Sequence, residues 1–471
     1  MRVISRMFEN IDSAERAVRK RFDSCADLSV RRVALRGGCA LVCSLGGLAD
    51  KNYISEKILR PLMDAEDAGQ ISSIGDILQA AAYEETADAQ KVFDSLCEGG
   101  AFVALQNEKL LCAVCSADTY FGRAAAKAET DITVKGAQTA FVEDMDKNVS
   151  LLRRIIRTPD LKCERFVKGG VTHTRVALMY VAGRVPPGFA EKLREKLQSA
   201  DLSVVVDSGN LESKLRKNKY GFFPSFGYTE KVDKAASLLA AGRAVVICDG
   251  SPFVLTAPYI FMESLQSAED YLRSPFYATF MRLLRFASLL TALYLPSLFL
   301  IVSDARHELI PTELYEVMEK LRRGIPVPLF WELLIMLLVF EMLREVGLRM
   351  PRSVGDAVGI VGSIIIGDAA TQAGIASTTV ILAVAVSAVA NFVVPVYMNT
   401  TSLLRLLFLL AANAAGFAGI AAATGAVLCV LCAKRELGVP YLLGIMPFRR
   451  DFMFDFVLAV PQKTLGRRED L

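Results

Sequence analysis

Residues 369–404 form a run of 36 without a single charged side chain, and after the lone Arg405 residues 406–433 add 28 more. A water-soluble core rarely needs apolar runs of that length. They suit a lipid bilayer, where ~20 apolar residues in a helix cross the hydrocarbon with every backbone group paired internally. Residues 286–303 are also uncharged, with Pro296 near the middle, and 357–367 make a shorter uncharged run ending at Asp368. Spans are therefore expected at 286–303, 356–374, 376–397 and 403–433. The segment 327–348 (VPLFWELLIMLLVFEMLREVGL) is apolar as well, yet it carries Glu332, Glu341, Arg344 and Glu345. Each such charge costs ~2.5–3.5 kcal/mol at mid-membrane. Helical spacing groups Glu341, Arg344 and Glu345 on one face and puts Glu332 nearly opposite. The segment is read as an amphipathic helix, interfacial or buried in protein, with these four residues as candidate interfacial or partner contacts.

Charge is partitioned along the chain. Residues 1–285 hold 39 Lys+Arg and 36 Asp+Glu, whereas 286–471 hold 15 and 15. The first part reads as a soluble region and the second as a membrane domain. A net charge of +3, with no basic patch interleaved with aromatics, gives no support to a nucleic-acid partner. The N-terminus (MRVISRMFENID) lacks the apolar core of a signal peptide, so the soluble region is expected in the cytosol with its ten cysteines reduced. Arg273, Arg282 and Arg285 precede the first expected span, and Lys434, Arg435, Arg449 and Arg450 follow the last. Basic flanks mark the cytoplasmic side. Both ends are then cytoplasmic, which demands an even number of crossings, and four satisfies it.

Within the soluble part, strand-like runs fall at 33–45, 101–105, 109–116, 161–167, 171–182, 203–206 and 243–248. Helix-like runs fall at 52–65, 86–98, 137–157, 188–199, 210–218 and 229–241. The polar, alanine-rich stretch 118–136 reads as a linker. The expected architecture is a cytoplasmic α/β region of two subdomains, 1–117 and 137–268, followed by an all-α multi-pass membrane domain over 269–433 and a cytoplasmic tail, 434–471.

The stretch 353–374 (SVGDAVGIVGSIIIGDAATQAG) concentrates small and polar side chains. Gly355 and Gly359 make a GxxxG pair, Ser363, Gly367 and Thr371 continue at intervals of four, and Asp356 and Asp368 mark the ends. Two readings stand side by side: a close-packed helix seam, or a pore-lining face with acidic rings that favour cations. Catalytic signals are thin. His173 lies in an apparent strand and reads as structural or exposed, and His307 in a loop. There is no GxSxG, no GxxxxGK[ST] and no GxGxxG after a strand. The CxxC pairs Cys112/Cys115 and Cys429/Cys432 have no further Cys or His beside them to complete a zinc site. Both are read as buried structural thiols. No catalytic, cofactor-binding or metal-ligating residue is assigned.

At the junction of the two parts a family resemblance emerges. DGSPFVL (249–255), EDYLRSPFYATFMRLLRF (269–286), LIPTELYEVMEKLRRGIPVP (309–328), FEMLREVGLRMPRSVGDAVGIVGSIIIGDAATQAG (340–374) and GVPYL (438–442) occur in order. Together they resemble the A-subunit family of bacterial spore germination receptors (GerA type), including a paralogue encoded with the dipicolinate-channel genes. The resemblance covers essentially 137–445 and, more loosely, the first subdomain, which is short and rich in cysteine. It implies a multi-pass protein of the spore inner membrane that forms an oligomeric, germinant-gated channel for monovalent cations. It implies as partners a transporter-like B subunit and a lipoprotein C subunit, further copies of itself, and membrane lipid. A non-conducting scaffold or signalling subunit, and the dipicolinate-linked paralogue, remain as alternatives. An enzyme or secondary transporter lacks the groups it requires.

Overall fold

The computed structural model describes residues 8–446 apart from 36–37, 66–72, 81, 108, 119–136, 217–220, 268, 271–272, 305–307, 309, 350–361 and 363. The expected linker (apart from Asp118), His307 and most of the 353–374 stretch thus lie outside the described residues.

Among the described residues, the N-terminal part, expected to be soluble, contains two five-stranded sheets. The first holds β1 (Leu28–Leu35), β2 (Gly38–Leu45), β3 (Tyr83–Glu85), β4 (Ala101–Gln106) and β5 (Leu110–Cys115) in the order β1-β2-β4-β5-β3. The second holds β6 (Leu161–Lys168), β7 (Thr174–Val181), β8 (Gly227–Thr229), β9 (Ala244–Cys248) and β10 (Val254–Ala257) in the matching order β6-β7-β9-β10-β8. Every neighbouring pair is antiparallel. In the first unit the helices α1 (Ile11–Arg21), α2 (51–64) and α3 (Ala89–Glu98) cover both faces. Ala14, Val18, Val92 and Leu96 pack on one face, and Ile54, Ile58 and Leu62 on the other. The second unit repeats the plan with α4 (Met145–Ile155), α5 (Phe189–Ser199), α6 (Ser208–Leu215) and α7 (Val232–Ala240). The two halves of the soluble region therefore share one topology.

Local chemistry sets the boundaries. Asn10 and Ser13 form a reciprocal capping box at the start of α1, and the Asp144 carboxylate accepts from the Asp146 and Lys147 amides at the start of α4. The run 33–45, expected as one strand, is instead parts of the β1–β2 hairpin, in which Leu35 faces Gly38. The stretch 203–206 forms no strand. It is irregular, and the Val171 amide donates to the Ser203 carbonyl. Cys112 and Cys115 are buried on opposite faces of the first sheet. A buried ion pair joins the two units: Arg153 of α4, 2% exposed, donates through Nε and Nη2 to the Asp27 carboxylate, the latter bond 2.8 Å long. Beside it the Ala26 amide donates to the Cys163 carbonyl at 2.7 Å.

The helical part comprises α8 (Pro275–Asp304), α9 (Thr312–Arg322), α10 (Leu329–Arg349), a helical stretch at 364–372, α11 (Thr378–Phe392) and α12 (Met398–Ala433). The stretch 403–433, expected as one span, is folded in two. Ala415 (φ −141°, ψ 16°) and Gly416 (φ 58°, ψ −135°) leave helical geometry and turn the chain back. Tyr294 touches both arms, stacking edge-on against the Phe408 ring at 5.0 Å and hydrogen-bonding Thr424 Oγ1 at 3.0 Å. Along an unbroken helix those two residues would stand about 24 Å apart. Gly419 passes so close to Ala411 that a Cβ there would lie 1.9 Å from its carbonyl oxygen, which explains a glycine on the second arm. Both ends of the hairpin meet the second soluble unit. Thr400 Oγ1 donates to the Phe222 carbonyl, and Lys434 Nζ to the Pro224 carbonyl at 2.9 Å. Cys429 and Cys432 are exposed on the outer side of the second arm, which corrects their reading as buried thiols. That arm buries a narrow stripe through Ile420, Ala423 and Leu431, and both thiols fall off it.

Burial pushes the Lys434 ammonium down to about 8, against a favourable field from Glu436. Between that value and ~10.4 the unfolded chain binds more protons than the folded one, so Lys434 makes stability rise with pH through this window. In Lys434→Met the gain in melting temperature between pH 8 and pH 10 should shrink relative to wild type. An identical pH dependence in the two proteins would contradict this assignment.

Candidate functional site

Charged side chains buried among apolar helices are expensive, so those that persist are tightly partnered and mark a site. Arg405, 2% exposed on the first arm of the hairpin, is the centre of such a cluster. Its Nη2 donates to Glu341 Oε1 on α10 at 2.6 Å, and its Nη1 to Ser387 Oγ on α11 at 3.0 Å. The second Glu341 oxygen accepts from Arg344 at 2.8 Å, and Arg344 Nη1 donates to Ser402 Oγ at 2.7 Å. Asn391 Nδ2 reaches the same Ser402 oxygen at 3.4 Å, and Ser387 Oγ donates to the Ala292 carbonyl of α8 at 3.0 Å. Six polar side chains thus tie four helices together at one level. Two guanidinium to one carboxylate leaves the cluster cationic, and the Nε groups of Arg344 and Arg405 are buried without an acceptor.

A second charged contact closes the opposite end of α10. Glu332 is fully buried (0% exposed) and takes a hydrogen bond from Arg322 Nε of α9 at 3.0 Å and from the Ser377 amide at 3.0 Å. The amide belongs to the first turn of α11, where the helix dipole favours a carboxylate. Glu345, by contrast, is exposed and pairs with Arg349 at 2.7 Å.

Of the small-residue stripe, Gly355, Asp356, Gly359 and Ser363 lie outside the described residues. Gly367 is half-buried, its Cα facing Ile381. Asp368 is exposed and accepts from Gln372 Nε2 at 2.8 Å, and Thr371 Oγ1 donates to the Asp368 carbonyl at 2.8 Å. The structure brings Glu341 and Arg344 together with Arg405, Ser387, Asn391 and Ser402, four residues that sequence reasoning did not select. The available signal was Arg405 itself, one charge between uncharged runs of 36 and 28 residues. His173 is exposed with φ 46°, a turn residue without a partner network.

Removing Glu341 strands the buried Arg405, at a typical cost of ~3–5 kcal/mol, whereas removing Arg405 leaves Glu341 on Arg344 and costs less. Arg405→Met and Glu341→Gln should each lower the melting temperature of the detergent-solubilised chain. The double variant should lose clearly less than the sum of the two. Additive losses would show that the pair is not coupled.

Comparison with known proteins places the chain. The family model described as Bacillus/Clostridium GerA spore germination protein matches residues 16–471. Spore germination protein KA of Bacillus subtilis (strain 168) is 33% identical over 428 residues, covering 89% of this chain and 78% of that protein. Spore germination protein GerLA of Bacillus cereus is 31% identical, covering 98% of this chain and 95% of that protein. GerQA of the same species is 30% identical over 94% and 89%. Among solved structures, the N-terminal domain of the A subunit of the Bacillus megaterium spore germinant receptor GerK3 aligns with a TM-score of 0.43 and 22% identity. It covers 55% of this chain and 99% of that one. With the match running almost end to end, the chain belongs to the GerA family of spore germination proteins.

Proposed function

We propose that the chain is the multi-pass A-type subunit of a germinant receptor, lodged in the spore inner membrane with both termini cytoplasmic. On this reading copies of it assemble around a germinant-gated path for monovalent cations, beside transporter-like B and lipoprotein C subunits. Its action is conformational and electrostatic, with no catalytic step. Family membership supports the receptor role. Two long apolar helices, Pro275–Asp304 and Pro395–Ala433, support membrane insertion. Since the second is a hairpin with both ends against the soluble region, the crossings count as α8, α10, the segment ending in 364–372, α11 and two hairpin arms. Six crossings, like four, keep the termini on one side. α10 enters this count because Glu332 and Glu341 are paired inside the protein, with Arg322 and Arg405, and the exposed Glu345 pairs with Arg349 in its last turn.

The observation that carries the conducting role is the contrast among the acids. Glu332 and Glu341 are held by arginines in the bundle, whereas Asp368 stands exposed on a segment whose neighbours Ile364, Ile365 and Ala369 are exposed too. An acidic side chain presented from the flank of a membrane bundle suits a water-filled path shared between copies. The stripe from Gly355 to Thr371 is assigned to that wall, and Glu345 to a partner-facing surface.

Reconstituted with its partner subunits in potassium-loaded vesicles, the wild-type chain should release potassium on germinant addition. Asp368→Asn should slow release several-fold, and Gly367→Leu should nearly abolish it, both with normal assembly. Unchanged release in both variants would contradict the wall assignment. Absence of release from the wild type would favour a scaffold or signalling subunit.

A further inference from the structure

The exposed cysteine pair at the base of the hairpin is left unused by the reading above, and its surroundings are chemically specific. Cys429 and Cys432 sit three residues apart on α12, a spacing that places both thiols on one helical face, with Cβ atoms about 5–6 Å apart. Among the described residues they are the two exposed cysteines; the other eight are buried or half-buried. The chain then leaves the helix, pairs β11 (Arg435–Glu436) with β12 (Val439–Pro440), and buries Tyr441 and Leu442. The Ile445 and Met446 amides both donate to the Leu442 carbonyl, at 3.0 and 2.9 Å. That turn brings the tail back onto the helix and sets Met446 Sδ 3.3 Å from Cys432 Sγ. Two sulfurs from separate chain segments therefore meet on an exposed spot, and Cys429 lies one helical turn away on the same face. No group of three or more His, Cys, Asp or Glu able to hold a metal occurs among the described residues, so neither imidazole nor carboxylate completes the set.

We propose that Cys429, Cys432 and Met446 form a binding site for a soft monovalent metal ion, Cu(I). Two thiolates and a thioether select that class, since hard cations require oxygen ligands and structural zinc requires four N/S donors. Binding releases two protons as the thiols become thiolates, with no change in the oxidation state of copper or sulfur. The product carries one net negative charge beside Lys434 and Arg435, which follow directly in sequence. Loading the site bridges the hairpin to the tail. The tail in turn is joined to the second soluble unit by Lys196 and Glu436, so the metal clamps the base of the bundle to the soluble region. The assignment does not depend on ion conduction.

The test uses the reduced full-length chain in detergent under argon, titrated into the coloured Cu(I)–bicinchoninate complex. Wild type should withdraw one equivalent of Cu(I). Cys429→Ser and Cys432→Ser should each abolish withdrawal at the same competitor concentration. Met446→Leu should keep the stoichiometry, which the two thiolates carry, and weaken affinity by about tenfold through loss of the weaker thioether ligand. All three positions are exposed, and unchanged circular dichroism would confirm that the variants fold. No withdrawal by wild type, or undiminished withdrawal by the Cys429→Ser/Cys432→Ser double variant, would overturn the site. Full affinity in Met446→Leu would overturn the part given to the tail.

Discussion

An arginine in the middle of 65 residues that otherwise carry no charge imposes a condition that the rest of the helical part must meet. Left unpaired at such a position, Arg405 would cost several kcal/mol. It is paired: Glu341 comes from α10, Ser387 from α11, and the shared network draws in Ser402 and Asn391. Meeting that one requirement fixes α10 against the first hairpin arm and α11 against both. Around this cluster the bundle is packed by large apolar side chains, among them Leu300, Leu333, Leu337, Val380 and Phe408, while the second arm contributes mainly small residues. The polar cluster adds directional hydrogen bonds to that apolar packing.

From there contacts run without a break to the soluble region. Tyr397, just before the first arm, shares a hydrogen bond of 2.9 Å with Tyr441 of the tail, and Phe261 stacks on Tyr397 at 5.5 Å. Phe223 and Tyr259 of the second soluble unit pack on Tyr441, and Lys434 lies over its ring at 4.7 Å. Arg285 of α8 donates to the Asp270 carboxylate and to the carbonyl of Leu265, which packs in the same core as Tyr259 and Tyr441. The first soluble unit joins the second through Asp27 and Arg153. A change in the soluble region thus has a continuous packed path to the hairpin.

How much of this was legible depends on what each feature costs. The apolar runs were plain because length and hydropathy alone mark them. The helices of the soluble part followed from periodicity, although α1 was overlooked: it is short and charged on three sides, with Ile11, Ala14 and Val18 as its apolar edge. The β1–β2 turn was hidden inside a run of strand formers, its one signal being Gly37 and Gly38. The hairpin was missed for a different reason. AANAAGFAGIAAATGA reads as close packing anywhere in a membrane, and one Gly416 in the left-handed region does not announce itself among five small neighbours. Arg405 was noticed as an interruption but not as a centre, because its partners Glu341 and Ser387 are 64 and 18 positions away and no spacing rule joins them. Cys429 and Cys432 were misplaced because apolar composition was taken for burial.

The account stands on the folding back of α12, and the distance between its arms tests it most directly. Leu403 and Leu428 are both exposed, at 56% and 51%, on opposite arms. With Cys429 and Cys432 replaced by serine, spin labels at Leu403→Cys and Leu428→Cys report their separation by pulsed dipolar spectroscopy. Packed arms lie about 8–10 Å apart axis to axis, so the hairpin predicts a label distance within about 20 Å. An unbroken helix would put 25 residues, about 37 Å, between the same positions, and a distance distribution centred there would contradict the hairpin and the six-crossing arrangement built on it.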